Sequence, residues 1–318
     1  MKKLISIVIP AYNEEANIPI LHQKIVAVLA PYAHLYTYEI IFVDDGSADH
    51  TWQTITDLAH KDRAIKGLKF SRNFGHQIAL TAAYDTAHGD AIISMDADLQ
   101  DPPELIVHML GAWQKGADIV YARRRNRNDG LLKKWTADLY YRILSRVSEI
   151  TIARNVADFR LIDKKVLEQL NQCREKARYL RGMVAWIGFS CDFIDFERPN
   201  RHAGQTGYTW KKMFKLAFDG MTSFSTFPLR VVGYMGIVAL SAVCVVVVYM
   251  SYQMMMYQAH YQLAAWLSLA GFFMMAVQSV ALWLLGEYLA RVYVESQARP
   301  LYIVAQTCNI SGDQRAPS

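Results

Sequence analysis

The sequence is poor in the signatures that announce common chemistries. Of 318 residues only four are cysteine (Cys173, Cys191, Cys244 and Cys308), and none falls in a CxxC pair or at a metal-site spacing. A disulfide framework and a zinc ribbon are thereby excluded, and the four thiols read as reduced packing residues in a cytosolic setting. No GxGxxG follows the first apolar run, which argues against a nicotinamide dinucleotide site. No GxxxxGK[ST] occurs, which removes the phosphate-loop ATPases. The N-terminal "MKKLISIVIPAYNEE" has too short an apolar run for a signal peptide and reads as a first strand. Charge is missing from one long stretch: Val231 to Gly286 contains no Asp, Glu, Lys or Arg, and His260 is its sole histidine.

That uncharged stretch is too long for one membrane span and suits two. Residues 229–252 and 264–289 each reach the about 20 residues that cross a bilayer. The turn between them carries no Lys or Arg. The outer flanks do, with Lys211, Lys212, Lys215 and Arg230 before and Arg291 and Arg299 after. The positive-inside rule then puts both termini in the cytoplasm of a multi-pass protein of the inner (plasma) membrane. A formal net charge of +5 suits an anionic membrane surface better than nucleic acid, and no nucleic-acid module is present.

The remainder alternates strand and helix. "LISIVIPAY", "YEIIFVDD", "IKGLKF", "DAIISMDAD" and "ADIVYARR" are near-continuous apolar runs separated by helical patterns. Continuous apolar strands at βαβ spacing predict a parallel sheet covered on both faces, with ligands at the carboxyl ends of its strands. Acids collect at those ends: Asp44 and Asp45 after the second strand, Asp96 and Asp98 after the fourth. Carboxylates are costly to desolvate unless paired or metal-bound. Asp96, Asp98 and the amide of Gln100 make an oxygen set suited to Mg²⁺ or Mn²⁺, with substrate phosphates completing the shell. "YARRRNRND" supplies Arg123, Arg124, Arg125 and Arg127, whose forks suit phosphate oxygens. His76 and His202 could each touch a ligand, but both read first as solvated or satisfied loop histidines. Amphipathic patterns at 131–147 and 209–226 are expected to form helices, the second lying in the membrane interface.

In this order "IVIPAYNEEANI", "FVDDGSADHT", "FSRNFGHQIAL", "SMDADLQDPPE", "VADFRL", "RHAGQTGY" and "DGMTSFSTFPLR" resemble the inverting family-2 glycosyltransferases, and within them the polyisoprenyl-phosphate glycosyltransferases. The resemblance runs from Ile5 to about Ile303. It implies an α/β fold of the GT-A, Rossmann-like type: a mostly parallel sheet with helices on both faces, plus a two-helix C-terminal transmembrane domain. The expected division is a cytosolic transferase domain over 1–208, interfacial helices over 209–228, a membrane hairpin over 229–306 and a disordered tail over 307–318.

Carried over residue by residue, the resemblance implies that Pro10, Ala11, Tyr12 and Glu14 line the base and ribose pocket, with Asp44 contacting the nucleotide and Asp45 beside it. Asp96 would sit near the donor sugar and diphosphate, Asp98 and Gln100 would hold the metal, Asp158 is the family's proposed base, and Arg201 would hold phosphate. Where the family often has Ser-Lys, this chain has Thr206 and Gly207, and Arg123 and Arg124 can supply the missing cation. The expected reaction moves a sugar from a nucleotide sugar, UDP-glucose or similar, to a polyprenyl phosphate. Because a phosphate monoester is already mostly dianionic at pH 7, Asp158 is expected to orient Arg160 or the acceptor more than to remove a proton. Rival readings are a catalytically silent membrane scaffold or flippase partner, a nucleotidyltransferase, and a processive polysaccharide synthase, which usually carries a Gln-x-x-Arg-Trp segment not found here. Gly233, Gly236 and Gly271 permit close helix packing, so a homo-oligomer is expected.

Overall fold

The computed structural model describes residues 2–124, 156–176, 178–196, 227–257 and 263–310. The amphipathic stretches at 131–147 and 209–226, Arg125, Arg127, His202, and the loop with Arg201, Thr206 and Gly207 lie outside the described residues.

Strand β1 (Lys3–Ala11) leads into helix α1 (Asn17–Leu29), β2 (Tyr36–Asp44), α2 (Thr51–Lys61), β3 (Ile65–Phe70), α3 (His76–Thr86), β4 (Ala91–Ser94), α4 (Leu105–Gln114) and β5 (Ile119–Arg124). β6 (Val156–Asp163), α5 (Lys164–Gln172), α6 (Leu180–Ile187) and β7 (Cys191–Phe196) follow. Two long helices, α7 (Phe227–Tyr257) and α8 (Leu263–Ser296), precede a last strand, β8 (Val304–Cys308). The β strands form one eight-stranded sheet in the order β7-β5-β6-β4-β1-β2-β3-β8. β1 pairs in parallel with β2 and β4, β2 with β3, and β5 with β7. The strands β1, β2 and β4 are largely apolar because both of their faces are buried. Ile5, Ile7, Ile9, Ile40, Phe42 and Ile93 are fully buried in the core.

Strand order sets the site. β1, β2 and β3 step one way across the sheet, and β4 returns to the other side of β1, with Ile5 opposite Ala91 and Val8 opposite Ser94. Between β1 and β4 the order reverses, and a crevice opens there at the carboxyl ends of the strands. The loops after β1, β2 and β4 all empty into it.

Two strands run against the expected parallel direction. β6 lies antiparallel between β4 and β5, with Arg160 opposite both Ser94 and Tyr121. β8 pairs antiparallel with β3 at the sheet edge, so residues 304–308, expected to end the membrane segment and begin a disordered tail, extend the sheet instead. The Asn309 side chain secures this return by donating to the carbonyls of Ala59 (2.7 Å) and Ile65 (2.9 Å).

By internal contacts the chain forms two units: residues 1–145, 150–209 and 299–318, and residues 146–149 and 210–298. Within the second, α7 and α8 pack on one another. Val232–Gln253 and Trp266–Ser296 are long and apolar enough to cross a membrane, and only 6% of each apolar window is buried.

Candidate active site

A cleft of about 310 Å³ occupies the crevice, lined by Pro10, Ala11, Tyr12 and Glu14 after β1, Asp45 after β2, Asn73, Gly75, His76 and Ala79 around the start of α3, and Asp96, Ala97 and Asp98 after β4. Six of the expected site residues outside the acid loop are thus accounted for in part: Pro10, Ala11, Tyr12, Glu14 and Asp45 line it, while Asp44 does not. Asp44 is fully buried at the end of β2, where its Oδ1 accepts the Ser47 amide at 2.8 Å. Asp45 Oδ1 accepts the Phe74 amide at 2.7 Å and its Oδ2 the Gly75 amide at 2.9 Å. Burial raises the pKa of Asp45 despite these amides. Gly75 has φ 104°, a backbone that L side chains rarely adopt, so only glycine enters α3 comfortably here.

The acid loop is held in an unusual shape. Leu99, between Asp98 and Gln100, has φ 59°, which costs about 1–2 kcal/mol for a side-chain-bearing residue. The Asp96 amide donates to Asp101 Oδ2 (3.1 Å) and the Gln100 amide to Asp98 Oδ1 (3.1 Å), fixing the turn. Asp96 Oδ1 and Gln100 Oε1 are buried acceptors without a hydrogen-bond donor. Burial also raises the pKa of Asp96, and the charges of Asp158 and Asp98 push the same way. Among the described residues no cluster of three or more His, Cys, Asp or Glu forms a ready-made metal cage. The unmet acceptors on Asp96 and Gln100, with the Asp98 carboxylate beside them, nevertheless fit a hard divalent cation whose remaining positions a substrate would fill.

Asp158 stands directly behind the cleft lining, against His76, because β6 runs antiparallel, so its beginning lies at the edge where the parallel strands end. Asp158 is 5% exposed and crowded with donors. Its Oδ1 accepts from Arg160 (2.8 Å) and Arg181 Nε (3.2 Å), and its Oδ2 from Gln77 (3.2 Å) and a second Arg181 nitrogen (3.1 Å). His76 Nε2 lies 3.6 Å from both Asp158 Oδ2 and Asp96 Oδ1. Burial alone would raise the carboxyl's pKa, but Arg181, His76 and Arg160 together hold it well below the usual carboxylate range. Burial pulls His76 towards neutrality, and the Asp158 hydrogen bond with the Asp96 and Asp158 charges outweighs it, so its pKa is raised.

Of this cluster the sequence offers His76, within "FGHQ", only as a candidate ligand contact, and nothing in that motif singles out Gln77. Arg181 had no local signal, since α6 brings it from 23 residues further along. Conversely, Arg123 does not line the cleft: its guanidinium forks onto Asp195 of β7 at 2.6 and 3.0 Å. The backbone of Arg124 ends β5, and Arg201 is outside the described residues.

Residues 6–170 match the family model described as glycosyl transferase family 2. The chain is 42% identical over 302 residues to an uncharacterized glycosyltransferase of Synechocystis sp., covering 95% of this chain and 94% of the relative. It is 39% identical over 303 residues to a prophage bactoprenol glucosyl transferase homolog of Escherichia coli, covering 94% and 98%. To the bactoprenol glucosyl transferase of Shigella phage SfV it is also 39% identical over 303 residues, covering 94% and 97%. With a family model matched over half of its length and identities of about 40% that run through nearly all of it, the chain belongs to glycosyl transferase family 2.

Proposed function

We propose that the protein transfers a sugar from a nucleotide sugar, UDP-glucose being the first donor to test, to the phosphate of a membrane polyprenyl phosphate, with inversion at the anomeric carbon. Relatives named bactoprenol glucosyl transferases match it end to end, and α7 and α8 are suited to a bilayer where such an acceptor resides. The observation that carries the reading is the state of Asp158. A carboxylate gripped by Arg160 and Arg181 and held far below its ordinary pKa is a poor proton acceptor. His76 lies 3.6 Å from both Asp158 and Asp96, whose hydrogen bond and charges raise its pKa. A carboxylate so committed to its arginines suits an acceptor that arrives ionised, as a phosphate monoester does.

Asp96, Asp98 and Gln100 would hold Mg²⁺ or Mn²⁺. When bound, that ion supplies positive charge for the leaving diphosphate. The chain's own residues do the rest. Pro10, Ala11, Tyr12 and Glu14 wall the nucleoside end of the cleft. An acceptor phosphate oxygen forms the new bond to the anomeric carbon from the face opposite the departing diphosphate, and the old carbon–oxygen bond breaks with its electron pair leaving on that diphosphate. Asp158 holds Arg181, whose guanidinium would meet the acceptor phosphate, and Arg201 would be a second phosphate contact. Catalysis is positioning and charge stabilisation.

The test uses full-length protein in detergent with Mg²⁺, a short polyprenyl phosphate and a panel of radiolabelled UDP- and GDP-sugars. Label from one donor should enter the organic phase. EDTA should abolish it, and Asp98→Ala should reduce it by about a hundredfold or more. Nucleotide binding without lipid labelling would replace this reading with a silent scaffold, and a growing polymer would replace it with a processive synthase.

A further inference from the structure

The cleft's second wall is braced from behind by the segment that follows α8. Ile303 accepts the Ser71 amide through its carbonyl at 3.0 Å. The Tyr302 ring stacks on Phe70 with centroids 5.1 Å apart and planes 21° apart. Phe70 in turn meets Phe74 edge-on at 5.5 Å. The Phe74 amide is the one that Asp45 grips, and its neighbours Asn73 and Gly75 line the cleft. Tyr302 also donates its hydroxyl to Asp85 Oδ2 at 3.0 Å, while Arg174 holds Asp85 Oδ1 at 2.7 Å. Burial and the Asp85 charge raise the Tyr302 pKa, so the hydroxyl remains a donor. Asp85 stands near the far end of α3, the helix whose first residues are His76 and Gln77. Tyr302 is 9% exposed and Phe70 1%, so these contacts are shielded from water.

We propose that Tyr302 is a positioning residue for the nucleotide-sugar site: through Phe70 it sets the 71–75 loop, and through Asp85 it seats α3, so that Asn73, Gly75 and His76 present themselves correctly to the donor. The inference rests on the proposed function only in naming the ligand. A positioning chain of this kind consists of packed rings and hydrogen bonds between rigid elements, and its disturbance shifts affinity at a distance by a modest factor. A purely structural Tyr302 would behave differently, lowering the unfolding temperature while leaving the affinity of the folded protein unchanged.

The experiment compares full-length wild type, Tyr302→Leu and Tyr302→Phe in detergent with Mn²⁺. It measures hydrogen exchange of the peptide spanning 71–76, the Kd for whichever of UDP and GDP the wild type binds, and the Tm. Leu retains apolar bulk at a sheet edge, which guards against simple misfolding. It should speed exchange in 71–76 and weaken nucleotide binding by about three- to tenfold, with exchange in β1 and β4 unchanged. Phe keeps the stack and should restore exchange and bring Kd to within about twofold of wild type. Tyr302→Leu with wild-type exchange and wild-type Kd overturns the inference, as does faster exchange with unchanged Kd. A wild type that binds neither nucleotide overturns the proposed function instead. Exchange in 71–76 would then decide alone whether Tyr302 holds the loop, and wild-type exchange in Tyr302→Leu would overturn that too.

Discussion

At the scale of single residues, Asp158 decides between two mechanisms. A general base must take up a proton during turnover, and a carboxylate between Arg160 and Arg181 resists doing so. Its folded pKa is depressed, so it contributes stability above the ordinary carboxylate value and loses that contribution only as pH falls through its lower folded value. The acid limb of kcat/KM should therefore contain no ionisation from Asp158. Asp158→Asn should lower the height of the pH profile without changing its shape, and raising pH should not rescue it. The same variant leaves fully buried Arg160 without its counter-charge, so a loss of about 3–5 kcal/mol in denaturant unfolding is expected. Asp96 and Asp98 were legible because an apolar strand ended in acids. The grip on Asp158 was half legible: Arg160 shares its strand, whereas Arg181 arrives from another element and leaves no trace in local spacing.

Among the elements, the strands divide by how much of their role periodicity can express. β1, β2 and β4 are buried on both faces, and their unbroken apolar runs say so. Nothing in "VADFRLID" says that β6 runs backwards, because alternation carries no direction, yet that reversal is what brings Asp158 to the crevice. β8 is shorter still, and "VAQTC" has too little apolar content to suggest a strand docked at a sheet edge. Its fit is nonetheless tight. A Cβ on Gly67 would stand 2.6 Å from Cys308 Sγ and 2.8 Å from Ile55 Cγ2. Gly67→Ala should destabilise the protein by about 1–3 kcal/mol. Adding Cys308→Ala should recover part of the loss but not all, since the Ile55 contact persists, and a double-mutant cycle would measure the share. Burial pushes the Cys308 thiol up to about 11, so at pH 8 it should react with iodoacetamide far more slowly than exposed Cys191. Gly67→Ala should quicken that reaction if β8 lifts from β3; unchanged labelling would show that the strand yields elsewhere.

For the whole molecule the return of β8 constrains topology. Strands from both sides of the α7–α8 pair in sequence belong to one sheet, so a chain that enters the bilayer after β7 must leave it on the side where it entered. The number of crossings is therefore even. α7 has 31 residues and α8 has 34, each longer than the about 20 needed to span the hydrocarbon. Val238, Val245, Phe272 and Trp283 are all more than half exposed along them, an apolar display suited to lipid and unlike a buried core hairpin. Two crossings would satisfy parity and length together, and the positive-inside rule applied to the basic flanks would then put the sheet in the cytoplasm. In a variant with Cys173, Cys191, Cys244 and Cys308 replaced, Gln258→Cys should react with an impermeant maleimide added to cells whose outer face is accessible. Asn309→Cys should react only after the membrane is opened. If both positions prove to be on one side, the helices do not span. A lipid acceptor would then lose the support that two spanning helices give it.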